Sequence, residues 1–504
     1  MAEETELKLR VTPADAPRLQ AALTRLAQTP PVMRHLLSLY FDTPGLDLLR
    51  QGWALRVRRV GRHWLQTLKG GGGVVAGLHQ RQEFECRLPR PQPDPTPVVA
   101  LLPGFAPDGL TSVFRADFRR RLWQFRYRGA QVEAAFDRGR IVCGDEELAL
   151  LELELELRSG PVVALYDLAL ELAQDCSLAP EPRSKAERGY ALFQGRVLEP
   201  AKAQPVRLRS ETSVEDAFVL LANQCLEQIE RNQAGVLETA DAEFLHQMRV
   251  GLRRLRALFS LFRPVLGKAT LEPWREPLAR LAAVVGAARD WDVLEEELLP
   301  QFSQALAGNV TLAELSRRIR RRRRSAWQQA RKAVASPQYG QLTLGLGRWL
   351  ANRDWRATDD ADQRARLDTW LRAQAASWLN ARHKKLLKRG RHLGRLDDGA
   401  RHALRIQVKK MRYAAEFLGS LFPEAAVRPY VKRLAALQAT LGRLNDLITA
   451  VAHVEALCGR ARTGHCREDA ALFTDWAGTT RAQALAALPR EWKRLRHCPP
   501  FWKG

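Results

Sequence analysis

The stretch Glu4-Thr5-Glu6-Leu7-Lys8, close to the start of the chain, alternates charged side chains with others. Successive side chains of a β-strand point to opposite faces, so residues 4, 6 and 8 share one face while Leu7 and Leu9 share the other. The stretch therefore predicts a strand that packs on its apolar side and presents two carboxylates and an ammonium group on its ionic side.

Three later stretches repeat this design: LRVR at 55–58, RQEFEC at 81–86 and LELELEL at 151–157. An ionic face is most often the solvent side of an antiparallel sheet, and for any single strand we prefer that explanation. Here the charges are sorted by sign, with carboxylate pairs on three strands and an arginine pair on the fourth. A solvent face needs no such sorting, so we favour strands that close into a barrel and point these side chains into its lumen.

Carboxylate pairs and arginines suggest a particular chemistry for such a lumen. Mg²⁺ and Mn²⁺ take oxygen ligands and usually keep waters or substrate phosphate oxygens as well. Arginine and lysine side chains pair with the phosphate oxygens themselves. The sequence therefore predicts a lumen that binds a polyphosphate together with its metal ions.

The motifs resemble those of the CYTH family, the triphosphate tunnel metalloenzymes, whose hallmark Glu-x-Glu-x-Lys is found here at residues 4–8. The similarity continues in the family's order through five more motifs and covers about residues 1–200. These are YFDTPGLDLLRQGWALRVRR from Tyr40, LQTLKG ending at Gly70, RQEFE from Arg81, LELELELRSG from Leu151, and PRSKAERGY around Lys185.

The resemblance implies an eight-stranded antiparallel tunnel with flanking helices and a metal-dependent cleavage of triphosphate compounds, with Mg²⁺ or Mn²⁺ as cofactor. The phosphate-binding catalytic residues that it implies are Lys8, Arg56, Arg58, Lys69, Arg81, Arg120 and Lys185. The metal ligands that it implies are Glu4, Glu6, Glu83, Glu85, Asp137, Glu152 and Glu154. Alternation alone does not choose between Arg119 and Arg120, and the family's Arg-x-x-Trp pattern favours Arg120. Asp137 matches a family aspartate, although Asp-x-Gly is also ordinary turn chemistry.

Length and charge indicate a second, different domain. The chain has 504 residues and a net charge of +24, but residues 1–200 carry 27 basic against 25 acidic side chains, so about +22 belongs to the remainder. After a proline-containing linker at 196–205, the pattern changes to long amphipathic stretches rich in alanine, leucine and arginine, which predict helices. We therefore predict an α+β protein with a tunnel domain at 1–200 and an all-α domain at 207–504.

The predicted helical domain contains an internal repeat. HQMRVGLRRLR from His246 matches HALRIQVKKMR from His402 at an offset of 156 residues, and Gly286 and Gly442 each lie 40 residues beyond their histidine. A repeat of this length predicts two similar halves, near 207–350 and 365–504, with four helices each.

In each copy the histidine and three basic residues fall within an arc of roughly 80° on a helix. A solvated face is the usual explanation of an arginine-rich helix, and we keep it for the run at 317–324. Stacked like charges repel, so their duplication favours an anionic partner. The copies resemble the CHAD domain, which implies binding of inorganic polyphosphate. The contacts that it implies are His246, Arg249, Arg253, Arg256, His402, Arg405, Lys409 and Arg412, with Lys384, Lys385, Lys388, Arg389 and Arg391 as an extension.

A tunnel joined to such a helical domain resembles bacterial inorganic triphosphatases, which implies hydrolysis of tripolyphosphate to diphosphate and phosphate. Two alternatives stay open: a non-catalytic protein that binds polyphosphate or polyphosphate granules, and a triphosphatase for nucleoside or thiamine triphosphate. The basic helices carry few aromatic residues for base stacking, which argues against nucleic acid. Seven scattered cysteines, no signal peptide and no long apolar stretch lead us to expect a cytoplasmic protein without disulfide framework or membrane contact, with granule association as an extension.

Overall fold

A computed structural model describes residues 2–503 except 76, 197, 307–311, 358–359 and 460–463. The chain forms two compact units. The first consists of Met1–Ala201, Leu226–Thr239 and Ala335–Asp354. The second consists of Lys202–Cys225, Ala240–Val334 and Trp355–Gly504.

The first unit is built around a closed antiparallel barrel. Its strands are β1 Ala2–Val11, β2 Val32–Asp42, β3 Trp53–Val60, β4 His63–Val75, β5 Leu78–Leu88, β6 Thr111–Tyr127, β7 Ala130–Cys143, β8 Glu146–Ser159 and β9 Leu178–Pro180. They pair in the order β5-β4-β3-β2-β6-β7-β8-β1, and β1 also pairs with β5, which closes a ring of eight strands. The short β9 extends the pairing of β1.

Alternation along the strands separates the two sides of the barrel wall, as the sequence predicts. Leu7 and Leu9 are fully buried on the outer side of β1, and Leu55 and Val57 are fully buried on the outer side of β3. The charged residues between them therefore point into the barrel.

Five helices accompany the barrel: α1 Ala16–Ala27, α2 Asp47–Arg50, α3 Thr96–Leu101, α4 Val163–Leu172 and α5 Lys185–Phe193. A capping box starts α5, because Ser184 accepts a hydrogen bond from the Glu187 amide while the Glu187 side chain accepts one from the Ser184 amide. The ring of Tyr190 on α5 packs edge-on against Phe114, 5.2 Å between centroids. Helix α5 thereby fixes the position of Lys185, its first residue.

The rest of the chain is helical. Its helices are α6 Val214–Arg231, α7 Gln233–Glu238, α8 Ala242–Leu266, α9 Lys268–Asp292, α10 Leu299–Ala305, α11 Ala313–Val334, α12 Pro337–Asn352, α13 Ala361–Asp368, α14 Leu371–Arg389, α15 Asp398–Leu418, α16 Glu424–Cys458 and α17 Gly464–Arg496. A π-helical turn at Val293–Leu298 joins α9 to α10. The predicted α+β architecture, an antiparallel eight-stranded barrel followed by a helical region, is confirmed.

Helix α12 belongs to the first unit, although it lies far along the chain. It packs against β9 and α4, and Gly340 makes the approach to β9 possible. A Cβ atom at Gly340 would lie 1.7 Å from the backbone oxygen of Leu178, which no side chain can tolerate. The compact first unit therefore includes a helix that the sequence pattern assigned to the helical domain.

The helical repeat is visible in the bounds of the helices. Helices α8 and α15 begin at 242 and 398, and α9 and α16 begin at 268 and 424, so both pairs are 156 residues apart. This is the offset of the two His-x-x-Arg motifs. A buried apolar cluster with members such as Leu294, Phe302, Leu447 and Phe473 joins segments of both halves.

Two further observations concern expectations from composition. Cys458 and Cys466 form a disulfide, with their Cα atoms 5.4 Å apart, so one pair among the scattered cysteines is joined. None of the described helices combines the length and the apolar character needed to cross a membrane.

Candidate active site

The barrel encloses a charged cavity of about 300 Å³. Charged side chains from all eight strands of the barrel and from α5 reach it, in the alternating pattern that places every second residue inside. The charged residues that line it are Glu4, Glu6, Lys8, Arg34, Arg56, Arg58, Lys69, Arg81, Glu83, Glu85, Arg120, Glu133, Glu154, Glu156, Arg158 and Lys185.

Most cations of the cavity are paired with carboxylates. Lys69 contacts Glu4 and lies 3.7 Å from Glu83, and Arg56 lies 3.8 Å from Glu83. Arg81 lies 3.3 Å from Glu187 at the start of α5. These pairs hold the long side chains along the wall.

Arg58 differs from its neighbours because no carboxylate among the described residues forms an ion pair with it. Its Nε donates to the hydroxyl of Ser38 at 2.9 Å, and its guanidinium carbon lies 5.8 Å from the ring centre of Phe118. Burial, together with the charges of Arg56 and Arg120, lowers the pKa of Arg58 to about 9. A partly buried cation in these surroundings favours an incoming anion.

A buried ionic network lies beneath the cavity. Carboxylate oxygens of Asp137, Glu152 and Glu154 all lie within 4.8 Å of one another. The ammonium group of Lys185 lies 2.6 Å from Asp137 and 3.0 Å from Glu154, and it also contacts Glu152. Arg120 donates to both oxygens of Asp137 at 2.7 Å. The acidic cluster thus already surrounds a cation of the chain itself.

The same network fixes the ionisation of its members. Burial opposes the charge of Glu154, but Lys185 and Lys8 overcome it and hold its pKa well below the usual range. Burial likewise opposes the charge of Glu6, and Lys8, at 2.8 Å, lowers its pKa to about 2. These carboxylates are ionised and matched by cations.

Other carboxylates of the cavity are not matched in this way. Burial, followed by the nearby Glu6, raises the pKa of Glu4 in spite of Lys69. Burial, followed by Glu4, raises the pKa of Glu156 to about 7, although Arg158 lies 2.6 Å away. Glu156 is directly opposite Glu6 in the β1–β8 ladder. Negative charge therefore accumulates between β1 and β8.

The donor chemistry of these carboxylates suits a divalent cation. Glu4, Glu6 and Glu156 offer the oxygen ligands that Mg²⁺ and Mn²⁺ prefer, and a bound cation would relieve the mutual repulsion that adds to the effect of burial on the pKa values of Glu4 and Glu156. Among the described residues, the group of three carboxylates whose oxygens all lie within 4.8 Å of one another is Asp137, Glu152 and Glu154. The deeper Asp137, Glu152 and Glu154 cluster fits less well, since Lys185 occupies its centre.

The structure brings nearly all of the predicted tunnel residues to one cavity. The two exceptions are Asp137 and Glu152, which lie in the ionic network below it. Arg120 points inward and Arg119 is exposed. Seven polar lining residues were missed: Arg34, Tyr40, Thr67, Glu133, Glu156, Arg158 and Ser184. Glu156 and Arg158 continue the alternation of charged residues along β8 and could have been found from it. The other missed residues do not belong to a pair of like charges at alternate positions, so this pattern could not identify them.

In the second unit, the His-x-x-Arg helices α8 and α15 bring four cations together. Arg249 and Arg253 of α8 correspond by the repeat to Arg405 and Lys409 of α15, and we call these four residues the central basic cluster. Burial, then Arg405, Arg253 and Arg249, lowers the pKa of Lys409 to about 7. The cluster is a site of positive charge held in place by packing.

Two aspartates and the two histidines border the central basic cluster. Asp290 lies 2.8 Å from Arg249, and its repeat equivalent Asp446 lies 3.5 Å from Arg405. Burial and Arg289 lower the pKa of His246 to about 4, so its ring is neutral at pH 7. The Nδ1 atom of His402 lies 2.8 Å from the side-chain oxygen of Asn445.

The remaining predicted polyphosphate contacts lie outside this cluster. Arg412 is paired with Glu416 at 2.7 Å, and Arg256 is exposed. The predicted extension is exposed on α14 and the turn after it, with Lys384, Lys385, Lys388, Arg389 and Arg391. Of these, Lys385 acts together with Arg382 and Arg256 to lower the pKa of Lys410, after the larger effect of burial.

The fold and the two charged sites define a protein made of a tunnel-type barrel and a duplicated helical domain. Family models match both parts: the CYTH domain at residues 2–190 and the CHAD domain at 220–455. The chain therefore contains a CYTH domain followed by a CHAD domain.

Two relatives illustrate these matches. The crystal structure of the CHAD domain from the plant Ricinus communis is 31% identical, with a TM-score of 0.52 over 60% of this chain and 98% of that one. A protein of Haemophilus influenzae named inorganic triphosphatase is 34% identical over 198 residues, which are 38% of this chain and 55% of that protein. The chain thus spans about half the length of this curated relative.

Proposed function

We propose that the tunnel hydrolyses inorganic triphosphate to diphosphate and phosphate, with Mg²⁺ or Mn²⁺ as cofactor. The observation that carries the proposal is that Arg58, a cation with no ion-pair partner among the described residues, lies in the same cavity as Glu4 and Glu156, two carboxylates whose pKa values are raised. The named activity of the Haemophilus influenzae relative supports it.

The cations of the wall would bind the substrate. Arg58 would pair with phosphate oxygens, Lys69 would turn from Glu4 to the phosphate when metal neutralises that carboxylate, and Arg56 would contribute its charge from the same wall. Lys8 and Arg120 are anchored in the ionic network, so they would act as fixed positive charges along the chain of phosphates. Fixed charges of this kind stabilise the negative charge that develops during phosphoryl transfer.

Glu4, Glu6 and Glu156 would hold the metal. When bound, the metal would neutralise phosphate oxygens and polarise the phosphorus for attack by water. A water oxygen would form the new bond to the terminal phosphorus while the bond from that phosphorus to the bridging oxygen breaks; the bridging oxygen would leave with the diphosphate, and the proton of the water would pass to solvent. Asp137 and Glu152 would position Arg120 and Lys185, since each is fully or almost fully buried against those cations.

An inorganic substrate is favoured over a nucleotide by the lining of the cavity. Among its described residues Tyr40 is the single aromatic, and its ring is already stacked on Phe114 at 4.4 Å between centroids. No exposed aromatic face among them would support a nucleobase or a thiamine ring. A lining in which charged side chains predominate suits a ligand made of phosphates alone.

Phosphate release from tripolyphosphate, ATP and long-chain polyphosphate, measured with Mg²⁺ and with Mn²⁺, tests the proposal. Replacing Glu4 and Glu6 by alanine should lower tripolyphosphate hydrolysis by at least about a hundredfold, as expected when a charge-stabilising group is lost. Glu3→Ala is the matched control, because Glu3 is exposed on the same strand. Unchanged activity in the double variant would contradict the tunnel mechanism, and a preference for ATP would contradict the inorganic substrate.

We also propose that the helical domain binds inorganic polyphosphate through the central basic cluster and so keeps the enzyme in the cytoplasm near polyphosphate stores. Four partly buried cations with two neighbouring aspartates leave an excess of positive charge that a polyanion would neutralise.

Polyphosphate binding by the whole chain tests this second proposal. Replacing Arg253 and Lys409 by glutamine should weaken binding, whereas replacing the exposed Arg263 and Arg275 by glutamine should affect it little. Equal losses of polyphosphate affinity in the two double variants would show that binding depends on the overall charge of the domain and not on the central basic cluster.

A further inference from the structure

The outside of the barrel carries a second concentration of positive charge, separate from the cavity. Arg115, Arg119 and Arg121 share the outer side of β6 with Asp117, which lies between the first two, and Arg138 and Arg140 occupy alternate positions on the outer side of β7. All five side chains are exposed, and we call them the outer basic face. The tunnel mechanism uses none of them.

The register of the strands places like charges together. Arg119 is directly opposite Arg138 in the β6–β7 ladder and directly opposite His35 in the β2–β6 ladder. Cross-strand neighbours of like charge destabilise a sheet. We expect such an arrangement of like charges where a bound anion offsets their repulsion.

Acidic side chains compensate only part of this charge. Asp117 lies 2.6 Å from His35, and Glu147 lies 2.9 Å from Arg140. Arg121 bonds to the uncharged side chain of Gln20. In the part of the chain that the structure describes, no ion pair involves Arg115, Arg119, Arg121 or Arg138.

The face borders a groove of about 560 Å³ that is lined by Met33, His35, Arg119, Arg121, Arg138 and Arg140, among others. The aromatic residues beside it, Phe118 and Phe136, are almost fully buried, so they offer no ring for base stacking. Alternate residues of a strand are about 6.6 Å apart and neighbouring strands about 4.8 Å apart, so the guanidinium groups form a closely spaced array. Such an array fits a phosphate chain and has no means to read bases.

We propose that the outer basic face is a binding site for the chain of inorganic polyphosphate, distinct from both the tunnel and the central basic cluster. Guanidinium groups bind phosphate oxygens in pairs, and a flexible phosphate chain can follow two neighbouring strands. The choice of polyphosphate over other polyanions rests on the proposed function, whereas the existence of an anion site on this face does not.

Binding of long-chain polyphosphate by the full-length protein, measured at several salt concentrations, tests the inference. The background carries Arg253→Gln and Arg405→Gln, which weaken the central basic cluster. Replacing Arg119, Arg121 and Arg138 by glutamine in this background should lower affinity on the order of tenfold and reduce the slope of log affinity against log salt by about 2. The control replaces Arg25, Arg62 and Arg90, which are exposed elsewhere on the first unit.

An equal salt slope in the triple variant and its control would overturn the inference. The protein could instead bind single-stranded RNA more tightly than polyphosphate and lose that RNA binding in the triple variant. This result would overturn the assignment to polyphosphate in favour of nucleic acid. Thermal unfolding of each variant verifies that the exposed substitutions leave the fold intact. Tripolyphosphate hydrolysis should be unchanged in the triple variant, so failure of this site and failure of the proposed enzyme activity are told apart in one set of proteins.

Discussion

Replacing Arg58 by methionine should make the protein more stable and less active. Burial and the neighbouring arginines lower the pKa of this guanidinium to about 9, and at about 1.4 kcal/mol for each tenfold change in a protonation equilibrium, keeping it charged costs up to about 5 kcal/mol. The cavity is open to water and Arg58 is only partly buried, so screening reduces this cost to on the order of 1–2 kcal/mol. Methionine keeps the bulk of the side chain and removes the charge.

The variant is examined by urea unfolding and by phosphate release from tripolyphosphate. We expect the free energy of unfolding to rise by about 1–2 kcal/mol and hydrolysis to fall by a factor of about 10² to 10³. Arg59→Met is the control, because Arg59 is the next residue on β3 and is exposed. If the Arg58 variant were less stable than the parent, or if it kept its activity, the view of Arg58 as an unmatched cation that awaits phosphate would be wrong.

Three further outcomes are expected. Polyphosphate affinity should increase as the pH falls from 8 to 6, because Lys409, with a pKa near 7, gains its charge in that range and the polyanion favours the charged form; binding by Lys409→Met should lose this dependence. Gly340→Ala should lower the free energy of unfolding by about 1–3 kcal/mol, since its Cβ would strike the Leu178 carbonyl. Gly478→Ala, in open space on α17, should raise it by up to about 1 kcal/mol in the same melts. Chelation of divalent metal should abolish hydrolysis and leave polyphosphate binding intact, and calorimetric titration with polyphosphate after chelation checks the second half of this statement.

Period-two alternation predicts which side chains enter the barrel because each strand has a single apolar face to bury. It does not fix how far along the lumen a residue lies. Glu152 and Glu156 share one face of β8, yet Glu152 is buried against Lys185 and Arg188 while Glu156 lines the cavity. That difference depends on where α5 packs, which no local pattern contains.

The membership of α12 in the first unit was likewise beyond the sequence pattern. Its amphipathic residues predict a helix, but the same residues could pack against any apolar surface. The decisive feature is the absence of a side chain at Gly340, which permits contact with the β9 backbone. From the sequence alone, a glycine within a helix indicates only that the helix is less stable than it would be with alanine there.

Lys185 has a consequence for the life of the protein in a cell. Because its ammonium group neutralises the deepest carboxylates, the barrel can assemble and remain intact when metal is scarce, unlike small domains that fold only around their ion. A tethered counter-ion would thus separate the folding of the barrel from the supply of the metal that we propose for the cavity.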